Sequence, residues 1–359
     1  MDLPFTTLDV FTTTRLLGNP LAVVTVPSAL RRRLTHAAKQ KIAQEFNLSE
    51  TVFLHEGSGD CEDENEGDES REIDIFTVER EIPFAGHPTI GTAVYVRYHQ
   101  HQQPQASASA KDKAAVKTLI TKAGPITLEP LTHPISTSTQ ARGIRARIPH
   151  AVHLHAKTLR DVLPSSPEDH PGLSPHAAIR AAELRAPVFS IVNGMTFVLV
   201  QLPNLCVLAE VRTSRLDFET LPVPLLDEGW RDSLVCRYYY VDVDGDGDGD
   251  GEAGGREEMG ESEEGVRYLR TRMEELGFED PATGSAATAL GAYLTLTEEK
   301  RGRRFQMTQG VEIGRRSVIS VETTTTTVEN ADGEGVKLGD VWLGGTAVVV
   351  MQGSLRVDV

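Results

Sequence analysis

The sequence predicts an α+β protein of two pseudo-twofold-related lobes, each a sheet wrapped around a central helix. Two internal matches and the balance of elements predict it. Pro88-Thr89-Ile90-Gly91-Thr92-Ala93 and Pro281-Ala282-Thr283-Gly284-Ser285-Ala286 share the pattern P-x-x-G-[S/T]-A. Each follows a Phe by a few residues (Phe84, Phe278) and opens a small, apolar run with helical character. Gly18-Asn19-Pro20-Leu21-Ala22-Val23-Val24 and Gly194-Met195-Thr196-Phe197-Val198-Leu199-Val200 each set a Gly turn before an apolar strand. The copies are offset by 176 residues for the strands and 193 for the helix starts. The difference of 17 is about what a Gly/Asp-rich stretch at 242–264 would insert. A period near half the chain marks a duplicated lobe, not a solenoid. Strands outnumber helices, and helices so rich in Gly and Ala fit only where they are closely surrounded.

Along the chain, residues 4–11 and 20–26 read as strands joined through the Gly18-Asn19 turn. Residues 35–46 read as a helix capped by Thr35, with Ala38, Ile42, Ala43 and Phe46 as its apolar stripe. Asn47-Leu48-Ser49-Glu50 leads into a strand, Thr51 to Leu54, and Ile73 to Thr77 forms another. The first duplicated helix runs from Pro88 to about Tyr98. Residues 100–116 are polar and low in complexity, a solvated loop. Short strands flank Gly124-Pro125, and residues 132–141 suit a crossing to the second lobe. Strands near 144–149, 187–192, 197–202 and 234–241 precede the second duplicated helix at 281–296. The tail, 341–345 and 347–351, reads as a β-hairpin.

The chain has 359 residues, enough for two cores, with 39% hydrophobic and 25% charged residues. Its formal charge of −16 is concentrated in two places. Residues 56–72 hold nine acids and one Arg, and residues 242–264 hold eleven acids and one Arg. The remainder is close to neutral, which argues against a basic nucleic-acid-binding face. The N-terminus lacks the basic and apolar regions of a secretory signal, and no apolar stretch approaches a membrane span. Three cysteines (Cys61, Cys206, Cys236), an odd number without metal-type spacing, suit a reducing compartment. A cytoplasmic protein without nucleic-acid or membrane partners is expected.

Several residues have chemistry to offer. Glu50 lies at a loop-to-strand junction among apolar residues, where desolvation can raise a carboxylate toward general acid/base use. The alternative is a surface Glu ending a strand. Gly86-His87-Pro88 sets an imidazole just ahead of a helix that begins with Pro at its first position. The free N–H groups and dipole there favour an anionic group, and His87 can donate a hydrogen bond or shuttle a proton. A capping or core histidine is the alternative. Asp280 reads as the N-cap of the second helix, with Ser285 in its first turn and no G-x-S-x-G elbow around it. Asp246 to Glu257 satisfies a calcium-loop spacing, but within an alternating Asp/Gly tract that produces such matches easily. His150, His153 and His155 fall on a strand with no neighbouring Cys or carboxylate, so no metal site is expected. No dinucleotide fingerprint or P-loop is present, which leaves cofactor-free chemistry.

Taken together, Gly18 to Val24, Asn47 to Phe53, Phe84 to Ala93 and Glu279 to Ala286 resemble the phenazine-biosynthesis-like (PhzF-like) family, which has the diaminopimelate epimerase fold. Gln309-Gly310, Gly314-Arg315 and the Gly344-Gly345 tail also fit. The resemblance implies that each lobe is a β-barrel-like mixed sheet. It divides the chain into a first lobe, 1–134, completed by 346–359, and a second, 135–345, carrying the acidic insertion 242–264. It implies a site in the interlobe cleft where the two helix N-termini meet. Glu50 would be the proton-transferring acid/base. His87, Asp280 and Ser285, with Gly86 and Gly284, would bind substrate or relay the proton. It also implies a homodimer, and the family's best-known activity is isomerisation of a dihydro-hydroxyanthranilate. The epimerase branch uses two facing cysteines, which the helix starts here lack. The stretches 55–72, 100–116 and 242–264 depart from the compact family pattern.

The expected function is therefore cofactor-independent isomerisation of a small carboxylate-bearing metabolite. A lyase or tautomerase using the same base, or a non-catalytic binding protein keeping the cleft, are the alternatives.

Overall fold

A computed structural model describes residues 1–56, 69–100, 115–131, 142–163, 170–212, 214, 216–243, 265–275, 277–299, 301–330 and 333–358. Cys61, the crossing at 132–141, the calcium-loop pattern Asp246 to Glu257 and most of the stretches 55–72, 100–116 and 242–264 lie outside these residues. The chain is mixed α+β and dominated by sheet. It divides into two compact units, Met1–Pro149 with Leu343–Val359, and His150–Trp342. Among the described residues, no helix is long and apolar enough to cross a membrane.

In the first unit, strand β1 (Asp2–Val10) pairs antiparallel with β2 (Asn19–Val26). The chain then crosses through helix α1 (His36–Phe46) to β3 (Thr51–His55), parallel to β2. Strand β4 (Ser70–Phe76) runs antiparallel to β3 and takes the two-residue β5 (Glu81–Ile82) as a hairpin partner. Helix α2 (Gly86–Val94) follows, ending in a π-helical turn at Tyr95–His99. Strand β6 (Thr118–Thr121) then lies parallel to β4, with β7 (Gly124–Pro130) and β8 (Ile144–Arg147) antiparallel beyond it. The last strand of the chain, Ala347–Arg356, runs along the outer edge of β1 over nine residue pairs with one register shift.

The second unit repeats this order of pairings. After β9 (His153–Leu154) and the helices α3 (Leu159–Val162) and α4 (Ala177–Arg185), β10 (Val188–Val192) pairs antiparallel with β11 (Met195–Gln201). The chain passes through α5 (Leu205–Ala209) to β12 (Leu234–Asp242), parallel to β11. Strand β13 (Val266–Glu275) is antiparallel to β12 and takes the short β14 (Phe278–Asp280) as its hairpin partner. Helix α6 (Gly284–Leu294) follows, again ending in a π-helical turn, at Thr295–Glu299. Strand β15 (Arg304–Gln309) is parallel to β13 and pairs antiparallel with β16 (Ser317–Asn330), and β17 (Gly333–Gly345) leads out. The two Gly-turn strands matched in the sequence, β2 and β11, thus hold the same place in the repeated order of pairings.

Each small-residue helix is enclosed as its composition requires. All nine residues of α2 are buried, and α6 is buried except at Tyr293. Gly91 lies where a Cβ would meet Leu21 and Val10, and Gly291 where one would meet Val321 and Phe305. On the other face of the first sheet, Ile42 and Ala43 of α1 cover Leu3, Val24, Phe53 and Phe76. Each such side chain, fully buried, contributes roughly 1.5–3 kcal/mol.

The structure corrects the register of the helix duplication. The helices begin at Gly86 and Gly284, an offset of 198, instead of at the two prolines. Each helix begins four residues after its short strand ends, β5 at Ile82 and β14 at Asp280, so the P-x-x-G match pairs Gly91, inside α2, with Gly284, the first residue of α6. Asp280 ends a strand, and the N-cap is Thr283. His87 lies within the first turn of α2 rather than ahead of it, and Pro88 is its third residue. Pro is tolerated there because the first four N–H groups of a helix have no intrahelical acceptor.

Candidate active site

The positions of Glu50 and His87 follow from local structure in the first unit. Thr35 caps α1 by accepting from Ala38 N–H at 3.2 Å, as the sequence predicts. Asn47 then ends the helix in the left-handed conformation (φ 51°) and turns the chain back toward β3. Glu50 is thereby set immediately before β3 with one carboxylate oxygen, Oε2, shielded from solvent. That oxygen lies 3.6 Å from Nδ1 of His87.

His87 is buried to 4% exposure, and loss of hydration drives its pKa down to about 3. The ring is therefore neutral at physiological pH. Its Nδ1 is 3.4 Å from the side-chain nitrogen of Asn19 on β2. An amide nitrogen can only donate, so this contact favours the neutral tautomer with Nδ1 as acceptor and the ring hydrogen on Nε2. Nε2 is buried with no hydrogen-bond partner among the described residues. Gly18 makes the approach of Asn19 possible. Its φ is +69°, and a Cβ there would lie 2.3 Å from the Val10 carbonyl.

In the second unit, Asp280 and Ser285 are both buried, and Ser285 is the second residue of α6, as His87 is of α2. The Thr283 hydroxyl donates to Asp280 Oδ2 at 2.6 Å. Gln309 at the end of β15 donates to the Asp280 carbonyl at 2.8 Å and accepts from Thr283 N–H at 3.2 Å. Neither Ala85 before α2 nor Thr283 before α6 gives its helix a side-chain cap. Each buried helix start, led by Gly86 in one unit and Gly284 in the other, thus lacks a side-chain cap on its N–H groups, and such a helix start favours an anionic group.

The structure brings Glu50 and His87 together within the first unit, and sets Asp280 close to the α6 turn that carries Ser285 within the second. Sequence reasoning omitted Asn19, Thr283 and Gln309 as site residues. Asn19 and Gln309 had a signal, each standing beside a turn glycine in a motif already singled out.

Two other clusters carry ligand-type atoms. Contrary to the sequence expectation, His153 and His155 do have a carboxylate beside them: Asp227, 2.8 Å from His153 Nε2. His155 is nevertheless committed on both ring nitrogens. Nδ1 accepts from Asp227 N–H at 3.1 Å, and Nε2 meets the Ser190 hydroxyl at 2.9 Å. His55, Glu72 and Asp74 also gather, but the Lys39 ammonium already occupies the Asp74 carboxylate.

Comparison with solved structures identifies the fold. A phenazine biosynthesis protein of the PhzF family from Bacillus anthracis matches with a TM-score of 0.64 at 20% identity, over 99% of this chain and 100% of that one. A probable proline racemase from Agrobacterium radiobacter matches with a TM-score of 0.54 at 13% identity, over 99% and 93%. The chain thus has the fold shared by PhzF proteins and proline-racemase-like epimerases.

Sequence similarity is more specific. The family model for phenazine biosynthesis-like proteins matches residues 8–177 and 276–353. An uncharacterised isomerase of Mesorhizobium japonicum is 32% identical over 352 residues, 97% of either chain. The trans-2,3-dihydro-3-hydroxyanthranilate isomerase of Pseudomonas chlororaphis is 26% identical over the same proportion of both. The chain belongs to the phenazine biosynthesis-like family and is an enzyme of the isomerase class.

Proposed function

We propose that this isomerase moves a proton on a small carboxylate-bearing metabolite without a cofactor, with Glu50 as the acid/base. The Glu50 carboxylate takes a proton from a carbon beside an unsaturated system. The electron pair left behind shifts through that system, and Glu50 returns the proton at a second carbon. His87 serves as a neutral donor through Nε2–H, stabilising the charge that develops on the substrate. The N–H groups at the start of α2, led by Gly86, suit the substrate's carboxylate; in the second unit the proposed substrate-binding or proton-relaying groups are Asp280, Ser285 and the α6 start at Gly284.

One observation carries this reading: a shielded carboxylate oxygen 3.6 Å from an imidazole whose own buried Nε2 has no partner among the described residues. A buried polar hydrogen left unmatched costs stability, and a bound substrate would satisfy it. The names of the relatives support the reaction class and suggest the first compound to try. The test is thermal-shift screening with trans-2,3-dihydro-3-hydroxyanthranilate and a panel of small unsaturated carboxylic acids, followed by NMR of any stabilising compound. Conversion to a positional isomer is the expected outcome. Stabilising ligands that remain unchanged would instead identify a binding protein.

A further inference from the structure

Gln309 is fully buried, and its side chain makes four hydrogen bonds to neighbours of the proposed site. Oε1 accepts from Thr283 N–H at 3.2 Å and from the Tyr238 hydroxyl at 3.0 Å. Nε2 donates to the Asp280 carbonyl at 2.8 Å and to Thr283 Oγ1 at 3.0 Å. A backbone N–H only donates and a carbonyl only accepts, so the backbone dictates which way the amide faces. Thr283 Oγ1 therefore receives a hydrogen from Gln309, and its own hydrogen is left for Asp280 Oδ2, 2.6 Å away. Hydrogen bonds to an ionised carboxylate at this separation are among the stronger ones in proteins.

We infer that Gln309 is a positioning residue: by fixing the direction of the Thr283 hydroxyl, it holds the Asp280 carboxylate in one orientation beside the start of α6. This rests on the reading of Asp280 as part of the reacting site. A glutamine needed only to brace the turn would be served by its two backbone contacts. The additional bond to the hydroxyl, passed on to the carboxylate, is what sets a side chain. The rest of the surroundings serve the same end. Gly310 has φ +73°, and a Cβ there would lie 2.7 Å from the carbonyls of both Pro281 and Arg315, so glycine lets β15 close on the turn. Burial pushes the Tyr238 phenol well above its ordinary pKa, which keeps it a donor to Gln309.

The test uses four variants of the full chain, Asp280→Asn among them, each examined by crystallography and by deuterium uptake into trans-2,3-dihydro-3-hydroxyanthranilate. Gln309→Glu keeps the shape and the acceptor but replaces the donating NH₂. Thr283→Val removes the hydroxyl at constant volume, and Thr283→Ser restores it. In Gln309→Glu and Thr283→Val, Asp280 is expected to leave its present rotamer while α6 stays formed. Their kcat should fall about tenfold or more with little change in KM, as for other supporting residues of a site. Thr283→Ser should keep both the rotamer and the rate. An unmoved Asp280 in the first two variants overturns the role of Gln309 but leaves the reading of Asp280 intact. Wild-type turnover in Asp280→Asn would overturn that reading itself, and the positioning role with it.

Discussion

A histidine surrounded by packed strands gives up the capacity to take a proton in the physiological range, because the charged ring loses more hydration than its neighbours return. His87 is in that position, with a pKa near 3. In the proposed mechanism it is then a fixed donor instead of a shuttle that charges and discharges. The ring signals of His87 in proton NMR should accordingly stay constant between about pH 5 and 8. A midpoint inside that window would contradict the assignment. As candidates, Glu50 and His87 were legible in the sequence, because each is a chemistry-bearing residue at the start of an element. Asn19 was not, since its meaning depends on His87, 68 residues away. Likewise, Gln309 acquires its meaning only from a turn 26 residues earlier.

At the scale of elements, the repeat was legible in composition but not in register. Small residues mark both central helices. The P-x-x-G match aligns the wrong residues, because it sets Gly91, inside α2, against Gly284, the first residue of α6, whereas each helix begins four residues after its short strand. Helix α4 escaped notice altogether. Its Glu183 is fully buried. It accepts from Arg237 Nη1 at 3.0 Å, Tyr239 hydroxyl at 2.6 Å and Ser174 N–H at 2.8 Å. Arg237 completes its own set on the carbonyls of Gly172 and Ser214. Removing one member leaves the other charge buried and unmatched. Glu183→Ala should therefore cost about 3–5 kcal/mol in denaturant unfolding. A loss below about 1 kcal/mol would show that Arg237 finds water or another acceptor. The long strand β16 was also missed, since its threonine run at 323–327 carries no apolar alternation.

For the molecule as a whole, one order of strand pairings used twice explains why the early and late motifs have the same structural job, each starting a buried helix. Buried histidines also set how the fold responds to acid. Desolvation is the main cause that lowers His155 to about 4, with His153 adding to it and Asp227 opposing. His87 lies lower still. The unfolded chain binds protons at these rings near pH 6.5, and the native one does so only below about 4. Each therefore withdraws stability as pH falls from about 6.5 toward its folded value, at no more than about 1.4 kcal/mol per pH unit. Unfolding free energies measured from pH 7 down to 4.5 should decline less steeply in His155→Gln than in the wild type. Parallel lines would contradict the role of His155.

Glu50 as the group that carries the proton is the claim on which the functional account turns. Its most direct measurement is proton NMR in D₂O, following a stabilising unsaturated carboxylate with the wild type and with Glu50→Gln. The wild type should incorporate solvent deuterium at the reacting carbon as the isomer forms. The variant should bind the same compound with similar thermal stabilisation and incorporate none. Deuterium entering at the wild-type rate in Glu50→Gln would assign the proton to another group and contradict the mechanism.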